Sequence, residues 1–172
     1  MQVYISDNVR KEFQRMAEFT KESSVETSGF LTGHNDFDYA SLEGIVLPRR
    51  VMYTFPTPYT PDERTDYKGN DVVVSPGSVE FSPQFMQRVA ALKPIGYAHT
   101  HPTEDEPFPS SADLAFCAKF LKLGRQIDPV QVTINSKGDF YVARIPWIVA
   151  LTSHLTPVDE KELEQYVVYR SV

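Results

Sequence analysis

His99 and His101 close the run Gly96-Tyr97-Ala98-His99-Thr100-His101-Pro102 and are two of the four histidines in the chain. Side chains alternate faces along a strand, so this spacing projects both imidazoles from one side, where they can share a metal ion. After an acidic loop, Ser110-Ser111-Ala112-Asp113 reads as a helix start. Ser110 is the capping residue, and Asp113 in the first turn can supply a third ligand. Catalytic zinc takes three protein ligands and keeps one position for water, whose pKa falls to about 7. A carboxylate outside the metal's ligands can take the water's proton and pass it to a leaving amine. A nearby hydroxyl can stabilise the oxyanion that develops. Glu26 and Ser110 are available for those two tasks. Each residue alone has an ordinary explanation, as a strand-face histidine, a helix cap or a solvated charge. Together they form a chemically complete set for a zinc hydrolase.

Other schemes fit less well. The chain has no His-Glu-x-x-His helix and no Pro-Cys-x-x-Cys pair. The single cysteine, Cys117, falls on an apolar helical stripe and reads as core, and being alone it excludes an internal disulfide. His34 and His154 read as surface residues, and no Cys/His set for a second, structural zinc is present. An apolar fraction of 41% and a charged fraction of 23% suit a soluble globular protein. The net charge of −6 argues against a nucleic-acid partner. The N-terminus lacks the basic and apolar regions of a signal peptide, and Ile145 to Leu151 is too short for a membrane span. A cytoplasmic location, with no membrane partner, is the simplest expectation.

The elements that must position these residues follow in order. Val3 to Ile5 predicts a strand. Ser6 or Asp7 caps a helix to about Lys21, with Val9, Phe13, Met16 and Ala17 inward. Strands are predicted over Val25 to Gly33, Leu42 to Leu47, Arg49 to Phe55 and Asp71 to Ser75. Asn35 to Tyr39, containing no apolar run, is a turn, and Pro56 to Asn70 is a proline-punctuated connection, either a functional loop or a flap. Ser82-Pro83 starts a helix to about Leu92, with Phe85, Val89 and Leu92 inward. Ile95 to His101 is the histidine strand. A helix runs from Ser110 to Leu123, carrying Leu114, Cys117 and Leu121, and stops at Gly124. Val130 to Ile134 and Phe140 to Arg144 form a hairpin around Asn135-Ser136-Lys137-Gly138. A last helix runs from Pro157 to about Tyr169. The expected architecture is a single α/β domain over 1–172, its mixed, mostly antiparallel sheet flanked by helices, with 146–172 an extension ending in a helix.

Glu26-x-x-Gly29-x-Leu31-x-Gly33, His99-x-His101-Pro102 and Ser110-x-x-Asp113 together resemble the signature of the JAMM (MPN-plus) zinc metallopeptidases, in a prokaryotic, deubiquitinase-like form. The resemblance covers roughly the first 145 residues, because the order of helices, strands and closing hairpin is similar too. It implies an MPN-like, cytidine-deaminase-like fold. It also implies one catalytic Zn²⁺ on His99, His101 and Asp113, Glu26 as general base and acid, and Ser110 as oxyanion partner. Members hydrolyse isopeptide or peptide bonds after the C-terminal glycine of ubiquitin-like proteins, and some prokaryotic relatives are encoded beside E1- and E2-like enzymes. One departure is the stretch Thr103 to Pro109, a residue longer than the family's usual spacing.

The resemblance therefore implies a ubiquitin-like protein as substrate, with E1- or E2-like proteins as further partners. A metal-free MPN-type binding scaffold and a zinc amidase acting on a small metabolite are the alternatives. Phe55, Tyr59 and the proline-rich connection lie where family members clamp an extended tail, though a solvated loop reads equally well there. The run Glu104-Asp105-Glu106 could draw a basic tail toward the site or be simply solvated.

Overall fold

The computed structural model of the 172-residue chain describes residues 2–36, 38–53, 69–75, 78–117, 128–146 and 167–170. Strand β1 (Gln2–Ile5) leads into helix α1 (Asp7–Ser23), where the Ser6 side chain caps by accepting from Val9 N–H at 3.4 Å. Val9, Phe13, Met16 and Ala17 recur at helical spacing and are all buried. β2 (Ser28–Asn35) and β3 (Tyr39–Val46) form an antiparallel pair. Its register shifts at Gly33, whose φ of 146° and contact with the Ser41 carbonyl leave no room for a Cβ. After β4 (Val51–Tyr53), β5 (Val72–Ser75) and β6 (Ser78–Phe81), α2 (Pro83–Ala91) starts with Ser82 accepting from Phe85 N–H at 3.1 Å and Pro83 in the first turn. Next come β7 (Gly96–Thr100), α3 (Ser111–Cys117), β8 (Val130–Ile134), β9 (Phe140–Arg144) and β10 (Val167–Arg170).

Seven strands make the main sheet in the order β1-β3-β2-β7-β8-β9-β10, while β4-β5-β6 form a small second sheet. β1/β3 and β7/β8 are parallel and the other four pairs of the main sheet are antiparallel, so it is mixed and mostly antiparallel. The sheet separates two apolar layers. On one face α1 packs Phe13, Met16 and Ala17 onto Leu31, Leu42, Ala98, Val130, Val132 and Ile134. On the other, Phe30 and Tyr97 meet Phe85 and Val89 of α2 and Phe116 of α3. Gly96 begins β7 because a Cβ there would lie 2.0 Å from the Val130 carbonyl oxygen. Among the described residues, no helix is long and apolar enough to cross a membrane.

Several expectations change. β2 starts at Ser28 rather than Val25, which leaves Glu26 just before the strand, and it runs on through His34. Leu92 is exposed, because it caps α2 beyond the last turn that faces the sheet. β6, whose Val79 and Phe81 alternate, pairs with β5 where no strand was expected. The last helix does not reach Tyr169. Val167–Arg170 is a strand on the edge that β9 offers, in keeping with the strand preference of Val167, Val168 and Tyr169. Phe55, Tyr59 and most of the proline-rich connection lie outside the described residues. So do Leu121, Gly124, His154 and the first part of the expected last helix.

Candidate metal centre

β7 is buried along its whole length, and its neighbours hold it at the centre of the sheet. Tyr97 and His99 face the α2/α3 side, and Ala98 faces α1. His101 lies one residue past β7, where its N–H donates to the Ile134 carbonyl at 2.8 Å and keeps the strand's course. The two histidines meet as their spacing predicts, Nε2 to Nε2 at 2.9 Å. Asp113 closes the group, with Oδ1 3.1 Å from His99 Nε2 and Oδ2 3.4 Å from His101 Nε2. Ligands about 2.0–2.1 Å from a tetrahedral zinc lie roughly 3.3 Å from one another, so the three side chains already have the spacing of a metal's ligands. Two imidazoles and a carboxylate are also the donor set zinc accepts. Among the described residues, they form the one His/Cys/Asp/Glu group of this kind.

Ser110 and Asp113 cap α3 reciprocally. Ser110 N–H and Oγ–H both donate to Asp113 Oδ2 at 2.6 Å, while Asp113 N–H donates to Ser110 Oγ at 3.3 Å. The capping residue and the candidate ligand thus fix one another, and the Ser110 hydroxyl is exposed beside the carboxylate. The loop that is a residue longer than usual does not disturb this arrangement. Ser136 N–H and Oγ–H donate to the Thr103 carbonyl at 2.9 Å, Asn135 Nδ2 donates to the Asp105 carbonyl at 3.0 Å, and Phe108 packs on Tyr141 with ring centroids 4.8 Å apart. The β8–β9 turn therefore holds the loop in place. Glu104, Asp105 and Glu106 remain exposed, with Glu104 reaching Lys137 at 3.3 Å.

Glu26 arrives through strand pairing. Ser28 pairs with His99, and Thr100 N–H donates to the Thr27 carbonyl at 2.9 Å, so the register continues and brings Glu26 level with His101. The Thr100 hydroxyl ties the junction: it accepts from Thr27 N–H at 2.8 Å and lies 2.6 Å from Thr20 Oγ of α1. Burial raises the Glu26 pKa. His99 and His101 oppose that effect and Asp113 adds to it, leaving the carboxyl above its ordinary value. Burial also works to lower the His101 pKa, but the hydrogen bond with Asp113 and the charges of Asp113 and Glu26 outweigh it and raise the value. Asp113 shows the converse. Burial would raise its pKa, yet its bonds with His101 and His99 hold it far below the usual carboxylate range.

Three neighbours were not evident as site residues in the sequence. Tyr97 stacks on His99 with centroids 5.5 Å apart and planes 15° apart. Gln131 of β8, fully buried, places its amide 2.9 Å from His99 Nδ1. Cys117, core as expected, also bonds Gln131 Oε1 at 3.2 Å, and burial pushes its thiol pKa up. A polar glutamine alternating with Val130 and Val132 was the available signal for the second of these. His34 stands apart from this group, exposed and 2.9 Å from Asp36 Oδ2. Glu26 also lines a largely apolar groove of about 210 Å³, together with Met16, Phe19, Leu47, Val51, Tyr53 and Val74.

The fold and the site define a mixed α/β protein with one candidate metal position among its described residues. Residues 10–164 match the family of prokaryotic homologs of the JAB domain, Prok-JAB, and the chain belongs to that family. No curated protein matches it. Among solved structures, it is similar to protein DSY2949 from Desulfitobacterium hafniense at 16% identity, over 83% of this chain and 85% of that one, with a TM-score of 0.41. It is also similar to a JAMM structure, described as a metalloprotease-like zinc site in the proteasome and signalosome. There the identity is 11%, over 92% of this chain and 95% of that one, with a TM-score of 0.38.

Proposed function

We propose that the protein is a zinc-dependent isopeptidase or peptidase that hydrolyses the bond after the C-terminal glycine of a ubiquitin-like protein, in deconjugation or precursor processing. The observation that carries this reading is the meeting of His99, His101 and Asp113 at 2.9–3.4 Å with Glu26 beside them. A zinc ion held by His99, His101 and Asp113 would supply Lewis acidity, polarising the scissile carbonyl and acidifying water. Glu26 takes a proton from the attacking water and returns it to the departing amine. Ser110 Oγ–H turns from Asp113 Oδ2 to the carbonyl oxygen as negative charge gathers there.

A protein tail suits the surroundings better than a small polar metabolite. The groove next to Glu26 is apolar, and β4, which lines it with Val51 and Tyr53, is among the described residues one of the two outer strands of the small sheet. An outer strand can receive an extended tail as an additional strand. E1- or E2-like proteins of the same conjugation system fit as partners. The test is metal analysis of the purified protein together with cleavage of ubiquitin-like fusions. Stoichiometric zinc and release of the fusion partner are expected, and purified protein without zinc would overturn the catalytic reading. Binding of the fusion without cleavage by the zinc-loaded protein would favour an MPN-type scaffold.

A further inference from the structure

His99 is 2% exposed and both of its nitrogens are engaged. Nε2 faces the candidate metal position, and Nδ1 faces the Gln131 amide. The parallel register sets Gln131 opposite Tyr97, so the glutamine and His99 share a face and the amide meets the ring from the neighbouring strand. Behind the amide lies the Cys117 thiol, fully buried like Gln131 itself.

The bonds of this chain all run in one direction. Cys117 S–H donates to Gln131 Oε1 at 3.2 Å, and Gln131 Nε2–H donates to His99 Nδ1 at 2.9 Å. The ring's single proton then sits on Nε2, which is 3.1 Å from Asp113 Oδ1 and can donate to it. That tautomer suits the site without a cation. A metal ligand needs the lone pair on Nε2, so the proton must move to Nδ1, and Nδ1–H then needs an acceptor. A half-turn of the Gln131 amide supplies one. Oε1 accepts from Nδ1–H, and Nε2–H donates to Cys117 Sγ. A thiol serves here because it can donate in one direction and accept in the other, so neither state leaves the amide unpaired.

Resting on the metal reading above, we propose that Gln131 is a positioning residue for the metal centre, and that metal loading reverses the Cys117–Gln131–His99 hydrogen-bond chain. Gln131 touches neither substrate nor metal; it acts by selecting the tautomer of His99.

Two measurements test this. The first is zinc affinity by competition with a chelator of known strength. Gln131→Leu is expected to bind zinc about 10–100-fold more weakly. Gln131→Glu, which keeps an acceptor at Nδ1, should restore affinity to near the wild-type value. Equal affinity of wild type and Gln131→Leu would overturn the proposal. The second needs no substitution. Cys117 is the chain's single cysteine, so the infrared S–H stretch reports one thiol. The band should have the lowered frequency of a donating thiol in the metal-free protein and shift upward when zinc is added. A band that does not move in demonstrably zinc-loaded protein would overturn the proposal, even if Gln131→Leu fails to fold. Wild-type protein that takes up no zinc is a separate result: it would overturn the metal reading itself and this inference with it.

Discussion

At the residue scale, the proposed function divides the site into groups that would hold a metal and a group that would move a proton, and substitutions should separate the two. Glu26→Gln removes the proton carrier and no ligand, so kcat should fall by about 10²–10⁴-fold with zinc content unchanged. Metal analysis and turnover on the same preparation check this. His101→Ala should lose zinc and turnover together. Protons and metal also compete for the ligands. In the metal-free protein the His101 pKa is raised, so its contribution to stability is complete below the unfolded histidine value of about 6.5 and is lost as pH rises through the folded value. Asp113 is depressed, so its contribution is present above the unfolded aspartate value of about 3.9 and is lost only as pH falls through its much lower folded value. The melting temperature of chelator-treated protein should therefore fall as pH is raised through the His101 transition. The stabilisation conferred by added zinc should grow over the same interval, because zinc binds deprotonated ligands. Melting curves with and without zinc check the sign, and parallel pH profiles would contradict it.

At the scale of elements, the centre depends on where strands meet, and Thr100 is the joint. Its side chain lies between those of the two histidines in sequence but on the opposite face, bonded to Thr20 of α1 and to the Thr27 backbone next to Glu26. Thr100→Val keeps the shape and removes these bonds, leaving buried partners unpaired at a cost of about 2–3 kcal/mol. Chemical denaturation measures the loss. If Thr100 also positions Glu26, kcat should fall while zinc affinity holds. The elements that the sequence made legible carry their own instructions. Ser6 and Ser82-Pro83 mark helix starts, Asn135 to Gly138 marks a turn, and His-x-His needs only the two-residue period of a strand. What was not legible depends on a distant surface. Val167–Arg170 takes strand form on the edge that β9 provides, and Leu92 is exposed because α2 ends before it. Gln131 is a site residue only because β8 lies beside β7. The candidate ligands were readable because their chemistry is specific, whereas their second partners required the register of the sheet.

For the whole molecule, a ligand that binds the folded chain alone must stabilise all of it. Free zinc at 100 times its dissociation constant should add about 2.7 kcal/mol, which for a chain of this size raises the melting temperature by roughly 5–10 °C. Calorimetry before and after chelation checks this, and an unchanged transition would mean that the folded protein holds no zinc. The pairing of β2 with β7 also has a temporal side. The Thr27–Thr100 bonds join residues 73 positions apart, and Glu26 gains its neighbours only through that junction. A chain growing on the ribosome therefore exposes Glu26 and the inner edge of β2 until the histidine strand has emerged, and contacts this distant in sequence close late. The candidate metal centre is thus withheld from the nascent protein: no amino-terminal fragment that stops short of β7 can assemble it.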